Sequence, residues 1–302
     1  LSERALESYF GRANYSYGDR YLLSATLRKD KISSLPWGKQ DAVLPGASIG
    51  WRVSRENFFR NISVINDLKI RGGFAKVGNV EIGSFPYAGT FSPVQYGDWS
   101  GVKYNRMGNP DLKFETSKKM NIGLDISLLQ SRIQLTADYF RNDIDNIILA
   151  APTPPSLGVP GNSIATNIGS MYNKGWEFSL NTVNVNSTDF VWNSTLNVSF
   201  VKNEVIRLAS NNSDIISAYN ITRINNPIGS FFGYEYAGVN PANGNPLWVK
   251  GDGTLVQGDF RTSRYYSYDP SNPGDMSKAA AALTFTDKKI LGSANPTWFG
   301  GF

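Results

Sequence analysis

The 302-residue chain is 13% aromatic and only 18% charged, with plentiful Gly and Asn, a balance that suits strands and turns better than helices. It has no Cys and no His, which removes thiol nucleophiles, the usual zinc sites and any Ser-His-Asp triad. The net charge of +5 is scattered among mixed charges without a long like-charged run, so it describes a solvated surface and not a nucleic-acid footprint.

No apolar run reaches the roughly 18 residues of a transmembrane helix, and the opening Leu1-Ser2-Glu3-Arg4 has no basic-then-apolar leader layout. The chain is therefore either soluble or crosses a membrane as strands. Period-two alternation predicts strands over Tyr9 to Tyr17, Tyr21 to Lys29, Leu44 to Val53 and Leu68 to Val77. Met120, Ile122, Leu124, Ile126 and Leu128 then alternate with Asn121, Gly123, Asp125 and Ser127. After a reversal at Gln130-Ser131, Ile133, Leu135, Ala137 and Tyr139 alternate with Gln134, Thr136 and Asp138. Tyr172 to Val183 follows. Trp192, Ser194, Leu196, Val198 and Phe200 come next, opposite Asn193, Thr195, Asn197 and Ser199, and a ninth strand starts at Trp298. Such strands exceed the roughly five or six residues of soluble sheets and match the ~9–11 tilted residues that cross a bilayer. Tyr residues gather at strand ends, where an interfacial girdle sits.

The connections alternate in length. Gly18-Asp19, Gln130-Ser131 and Asn184 to Thr188 are short, whereas Asp30 to Val43, Gly78 to Ser117, Ile144 to Met171 and Lys202 to Pro296 are long. Outer-membrane barrels have this pattern because periplasmic turns are tight and extracellular loops are not. Ser54 to Asp67 breaks it, and its Glu56-Asn57-Phe58-Phe59 is compatible with a helical turn sheltering the apolar pair or with an irregular loop. Asn203 to Asn295 contains Asn211-Asn212, Asn243-Gly244, Asp252-Gly253 and two Pro-rich turns, and is expected to be one extracellular excursion with a local strand over Phe231 to Val239.

Exposed loop aromatics are the candidate ligand or lid contacts, because sugar rings and peptide side chains stack on Trp and Tyr faces. These are Tyr96, Trp99, Tyr104, Trp248, Tyr265, Tyr266 and Tyr268. Asp143 with Asp145, or Glu81 with Asp98, lack any supporting group that would make them a catalytic pair.

Tyr21-Leu22-Leu23-Ser24-Ala25-Thr26-Leu27-Arg28 followed by Ala47-Ser48-Ile49-Gly50-Trp51-Arg52-Val53 resembles consecutive barrel strands of the SusC/RagA-type TonB-linked outer-membrane transporters. Asp67-Leu68-Lys69-Ile70-Arg71 and Val77-Gly78-Asn79 continue the likeness. Asn109-Pro110-Asp111-Leu112-Lys113-Phe114-Glu115 leads into Asn121-Ile122-Gly123-Leu124-Asp125, and then come Asp138-Tyr139-Phe140, Asn167-Ile168-Gly169-Ser170-Met171 and Lys174-Gly175-Trp176-Glu177-Phe178. Pro227-Ile228-Gly229-Ser230-Phe231-Phe232-Gly233-Tyr234 and Asn295-Pro296 complete the series in family order. In Asn109-Pro110-Asp111, Pro sets φ and Asp is expected to bond nearby amides at the strand entry.

The resemblance implies an all-β fold: a partial antiparallel transmembrane β-barrel over 1–302, about nine strands of a larger one, with 203–297 as a long extracellular loop region. The family's signal peptide, plug and TonB-contacting segment are expected to lie outside this chain, which then reads as an internal barrel fragment. Also implied are outer-membrane localisation in a Bacteroidetes-type bacterium and import of a glycan or oligopeptide without enzymatic chemistry. The partners it implies are a SusD-like surface lipoprotein, the TonB complex and outer-membrane lipid, with no nucleic acid. The family's acidic calcium stretch after Pro-Gly-Asp is replaced here by Met276-Ser277-Lys278 after Pro273-Gly274-Asp275, so no metal or other cofactor is expected. A soluble surface glycan-binding β-protein is the alternative reading.

Overall fold

The computed structural model describes residues 4–59, 61–79, 85–208 and 212–302. Two units are present, one formed by Leu1–Ser213 with Pro296–Phe302 and the other by Asp214–Asn295. In the first unit the strands are β1 (Leu6–Tyr17), β2 (Tyr21–Ile32), β3 (Asp41–Arg52), β4 (Ile65–Asn79), β5 (Thr90–Tyr96), β6 (Trp99–Arg106), β7 (Glu115–Leu128), β8 (Ile133–Pro152), β9 (Ser163–Asn186) and β10 (Val191–Arg207), with the last strand of the chain, β20, at Trp298–Gly301. Nine of them form one antiparallel sheet in the order β1-β2-β3-β4-β7-β8-β9-β10-β20, while β5 and β6 pair as a separate hairpin.

All nine predicted strands are present, and several run further than the alternation indicates. Ile144 to Met171, expected as a loop, is mostly paired: β8 continues to Pro152 and β9 begins at Ser163. The alternation fails there because Asn146 takes a φ of +59° and shifts the register, so the side-chain period breaks while the ladder continues. Gly78 to Ser117, also expected as a loop, contains the β5–β6 hairpin.

Residues paired across an antiparallel rung point to the same side of the sheet, so the register sorts the strands into two faces. One face carries Tyr15, Leu23, Ile49, Ile70, Ile122, Leu124, Ala137, Tyr139, Trp176, Phe178, Val198, Phe200 and Trp298. Their neighbours Asn14, Ser24, Ser48, Arg71, Asn121, Asp125, Thr136, Asp138, Glu177 and Asn197 lie on the other. The apolar face is not a buried core, since Ile49 and Ile122 are 64% and 54% exposed.

The apolar band crosses the hydrogen-bonded rows obliquely. On β2 and β3 it extends from Tyr21 and Trp51 to Leu27 and Val43, whereas on β8 it extends from Ile133 to Tyr139 and on β9 it reaches Trp176. Tyr21 and Trp51 begin the band on their strands, yet they share a row with Ala137 and Phe178 in the middle of it on theirs. Barrel strands tilt ~35–45° with a fixed stagger, so a level bilayer belt must cut the rows at a slant.

At the turn end, Glu56 collects the interfacial aromatics. Tyr21 Oη donates to it at 2.7 Å, Trp51 Nε1 at 3.1 Å and Arg20 at 3.2 Å. The Tyr21 hydroxyl, followed by the Trp51 indole, holds this carboxyl below its ordinary range. Val53–Arg55 and Asn57–Phe59 are 3₁₀ turns, which settles the helical reading of this connection. Only one ring of the apolar pair is sheltered, because Phe59 is buried and Phe58 is exposed. At the loop end a small core forms from Ile32, Leu35, Leu112 and Phe114, with Tyr87, Ile148 and Ala165 packed against it.

The second unit contains two sheets. One joins β11 (Ile215–Ile216), β12 (Asn220–Thr222), β13 (Ser230–Gly233) and β19 (Lys289–Gly292). The other joins β14 (Glu235–Val239), β15 (Pro246–Val249), β16 (Leu255–Asp259), β17 (Arg264–Ser267) and β18 (Ala279–Ala280). The single strand expected over Phe231 to Val239 is divided at Tyr234 between the two sheets.

Candidate functional site

The loop aromatics singled out in the sequence fall into two groups, one in each unit. Tyr96 and Trp99 close the β5–β6 hairpin as a directly opposed pair around Gly97-Asp98, where Gly97 takes a φ of +61°. They are 86% and 79% exposed. Tyr104 differs: its ring packs 4.8 Å from Phe91 in the hairpin body, so it supports the tip and does not share its exposure. Arg106 anchors the hairpin base by donating to the Phe85 and Ala88 carbonyls at 3.0 and 3.3 Å.

The segment that follows the hairpin is fixed by two asparagines. Asn109 Nδ2 donates to the Ala165 carbonyl at 2.9 Å, and Asn109 Oδ1 accepts the Asp111 N–H at 2.9 Å. The amide-binding role expected of Asp111 thus belongs to Asn109, while Asp111 pairs with Lys39, which draws its carboxyl below the usual range. Asn167 accepts the Lys113 N–H and donates back to the Lys113 carbonyl, bridging this segment to β9.

In the second unit Trp248 packs edge-on against Tyr236 at 5.4 Å. Tyr265 is opposite Gly258 and Ala280, and Tyr266 is opposite Gln257 and Ala279. Tyr268 lines a hollow of about 570 Å³ with Lys250, Asp252, Thr254 and Pro270. This group rests on a buried amide network that carried no signal in the sequence pattern. Asn240 Nδ2 donates to Gln257 Oε1 at 2.7 Å and to the Pro273 carbonyl at 2.7 Å, and Gln257 Nε2 donates to the Asp275 carbonyl at 3.2 Å. The network holds the Asp269–Asp275 turn, whose Asp269 accepts the Ser271 N–H at 2.9 Å.

The polar face of the large sheet carries a charge cluster that was also missed. Arg71 on β4 donates to Asp125 at 3.1 Å and to Asp138 on β8 at 2.6 Å. It reaches β8 because Gly123 lies between them, and a Cβ there would stand 2.6 Å from Arg71 Cζ. The signal that could have revealed this is the lone glycine within the polar series Asn121-Gly123-Asp125.

Asp143 and Asp145 bind different cations, Arg141 at 2.8 Å and Lys118 at 3.0 Å. Glu81 lies outside the described residues. Among the described residues no three acidic side chains converge as a metal-binding group would require.

A family model for the TonB dependent receptor-like β-barrel matches residues 2–290. TonB-dependent receptor P3 of Formosa agariphila is 33% identical across 100% of this chain and 30% of its own length. TonB-dependent receptor SusC of Bacteroides thetaiotaomicron is 31% identical across 85% of this chain and 28% of its own length. The structure of the RagAB peptide transporter superposes with a TM-score of 0.83 over 99% of this chain and 31% of that one, at 22% identity, which is a likeness of fold. The chain thus spans less than a third of the length of these relatives. A polar and an apolar face on nine long strands, an oblique apolar band and the matched family model together make this chain a barrel segment of the TonB-dependent receptor family.

Proposed function

We propose that the chain forms part of the wall and outer loops of an importer of large nutrients, glycans or oligopeptides, in the outer membrane of a Bacteroidetes-type bacterium. The apolar face of the nine-stranded sheet meets lipid and the polar face lines the lumen. The observation that carries this reading is the slanted apolar band, since a soluble sheet has no reason to keep exposed Ile49, Ile122 and Leu196 in a belt oblique to its rows.

The β5–β6 hairpin and residues 214–295, each inserted in a long connection between strands, belong to the extracellular side. Tyr96, Trp99 and Trp248, together with Tyr265, Tyr266 and Tyr268, contribute to contact with substrate or with a SusD-like surface lipoprotein, and the TonB complex supplies the energy. The likeness to SusC and to the RagAB transporter supports this assignment of partners. Movement of a solute requires no covalent step.

The test is a triple variant of the full-length receptor, Tyr96→Ala, Trp99→Ala and Trp248→Ala. The reading predicts reduced uptake or reduced lipoprotein association at normal receptor abundance. Both unchanged would reject the loop aromatics as contacts.

A further inference from the structure

Three cations stand side by side on the apolar face. Arg141 on β8 is opposite Lys174 on β9, and Lys174 is opposite Lys202 on β10. Side chains so placed have Cβ atoms about 4.5–5.5 Å apart, and like charges at that spacing repel. Asp143 answers Arg141 at 2.8 Å and Glu204 answers Lys202 at 2.8 Å. Among the described residues Lys174 forms no direct ion pair, although the Glu204 carboxylate feels its charge as well as that of Lys202, and its ammonium rests 5.1 Å from the Tyr172 ring, so the row sets three cations against two carboxylates.

The next row toward the turns holds Tyr139, Trp176, Phe200 and Trp298. Trp176 and Phe200 are 50% and 47% exposed, and the Tyr139 ring lies 5.1 Å from Trp176. Between the two rows is a hollow of about 350 Å³, with aromatic walls from Tyr139, Trp176 and Phe200 and cationic walls from Lys174 and Lys202. The boundary continues along the slant of the band, because Lys118 on β7 and Lys76 on β4 face each other one row nearer the loops.

We propose that this hollow binds the phosphorylated headgroup of a membrane lipid in the loop-side leaflet. The phosphate sits against the Lys174 and Lys202 ammonium groups and supplies the negative charge that the row lacks, while the upper part of the acyl chains lies on Trp176 and Phe200. A free anion would meet the lysines and gain nothing from the exposed rings, and a neutral lipid would cover the rings and leave the excess positive charge of the row unmet. Both halves of the site therefore select an amphiphile carrying phosphate. The site rests on the reading that the apolar face meets lipid.

The experiment uses the full-length receptor in neutral detergent, loaded with dioleoyl phosphatidic acid or with dioleoyl glycerol, and counts retained lipid by native mass spectrometry. Wild-type receptor should retain phosphatidic acid over diacylglycerol, and the Lys174→Gln/Lys202→Gln double variant should lose roughly tenfold or more of that retention. The control Lys69→Gln/Lys119→Gln, on the opposite face of the sheet, should retain as wild type. Equal retention by wild type and the double variant, equal retention of both lipids, or full displacement by an equal concentration of inorganic phosphate overturns the proposal. A spin label at Leu196 separates the two readings. If the label is shielded from oxygen, the lipid-facing assignment fails and this site with it; if it is accessible while retention is unchanged, the lipid site alone fails.

Discussion

Arg71 and Asp138 form an ion pair at 2.6 Å across an intervening strand, an arrangement open to them only because residue 123 has no side chain. The pair ties β4 to β8 through the polar face and uses one of the two Asp138 oxygens. The other is buried without a partner among the described residues.

Gly123→Ala places a methyl group where Arg71 and Asp138 meet. The cost of such overpacking is about 1–3 kcal/mol. Urea unfolding of the full-length receptor from lipid vesicles should show it, and an unchanged midpoint would mean that Arg71 simply swings aside.

Leu124 lies mid-band on β7, between Met120 and Leu128. Leu124→Arg should therefore cost ~2–4 kcal/mol in the same vesicle assay, and Asn121→Arg, on the polar face, much less. Similar costs for both would place the two faces in similar surroundings.

Gln257 is fully buried and accepts from both Asn240 and Asn243, at 2.7 and 2.9 Å. Gln257→Leu strands both donors, at a cost of about 1–3 kcal/mol. Because the same network holds the Pro273 and Asp275 carbonyls, limited proteolysis should then cut faster between Ser271 and Asp275. A wild-type cleavage rate would show that the turn is held by its own Asx bonds.

Asp287 accepts the Gly251 N–H at 2.9 Å and the Thr284 N–H at 2.7 Å, and these backbone donors lower its pKa from the ordinary 3.8 to about 2. A carboxyl depressed on folding contributes stability that is fully present above its unfolded pKa and is lost as the pH falls through its folded one. Protection of the Gly251 and Thr284 amides against hydrogen exchange, corrected for intrinsic rate, should fall between about pH 4 and pH 2. Asp287→Asn should remove that dependence; a wild-type pH response in the variant would assign the loss to another group.

The nine strands were legible because each faces two different surroundings, which writes an alternation into Met120–Leu128 or Trp192–Phe200 that nothing else imitates. The signal fades beyond Asp143, where the register shift at Asn146 breaks the side-chain period, so the loop-end extensions of β8 and β9 read as a loop. The aromatic loop residues were visible by composition, but their environments were not. Tyr96 and Trp99 are separated from Tyr104 only by the hairpin register. Asn240 and Gln257 look like any polar loop residues until the chain brings them together, and Arg71 with Asp138 depends on pairing between strands far apart in sequence. The cationic row of Arg141, Lys174 and Lys202 needs three strands in register before it exists.

Site-directed spin labelling of the full-length receptor in lipid, with labels at Ile122, Leu124, Ile126, Leu135, Ala137, Leu196 and Val198, tests the two-faced barrel wall most directly. The account predicts that these positions relax with dissolved oxygen and are shielded from a water-soluble nickel complex, with labels at Asn121, Asp125 and Thr136 shielded from oxygen by comparison. Broad protection of the first set from oxygen, or indistinguishable behaviour of the two sets, would contradict it.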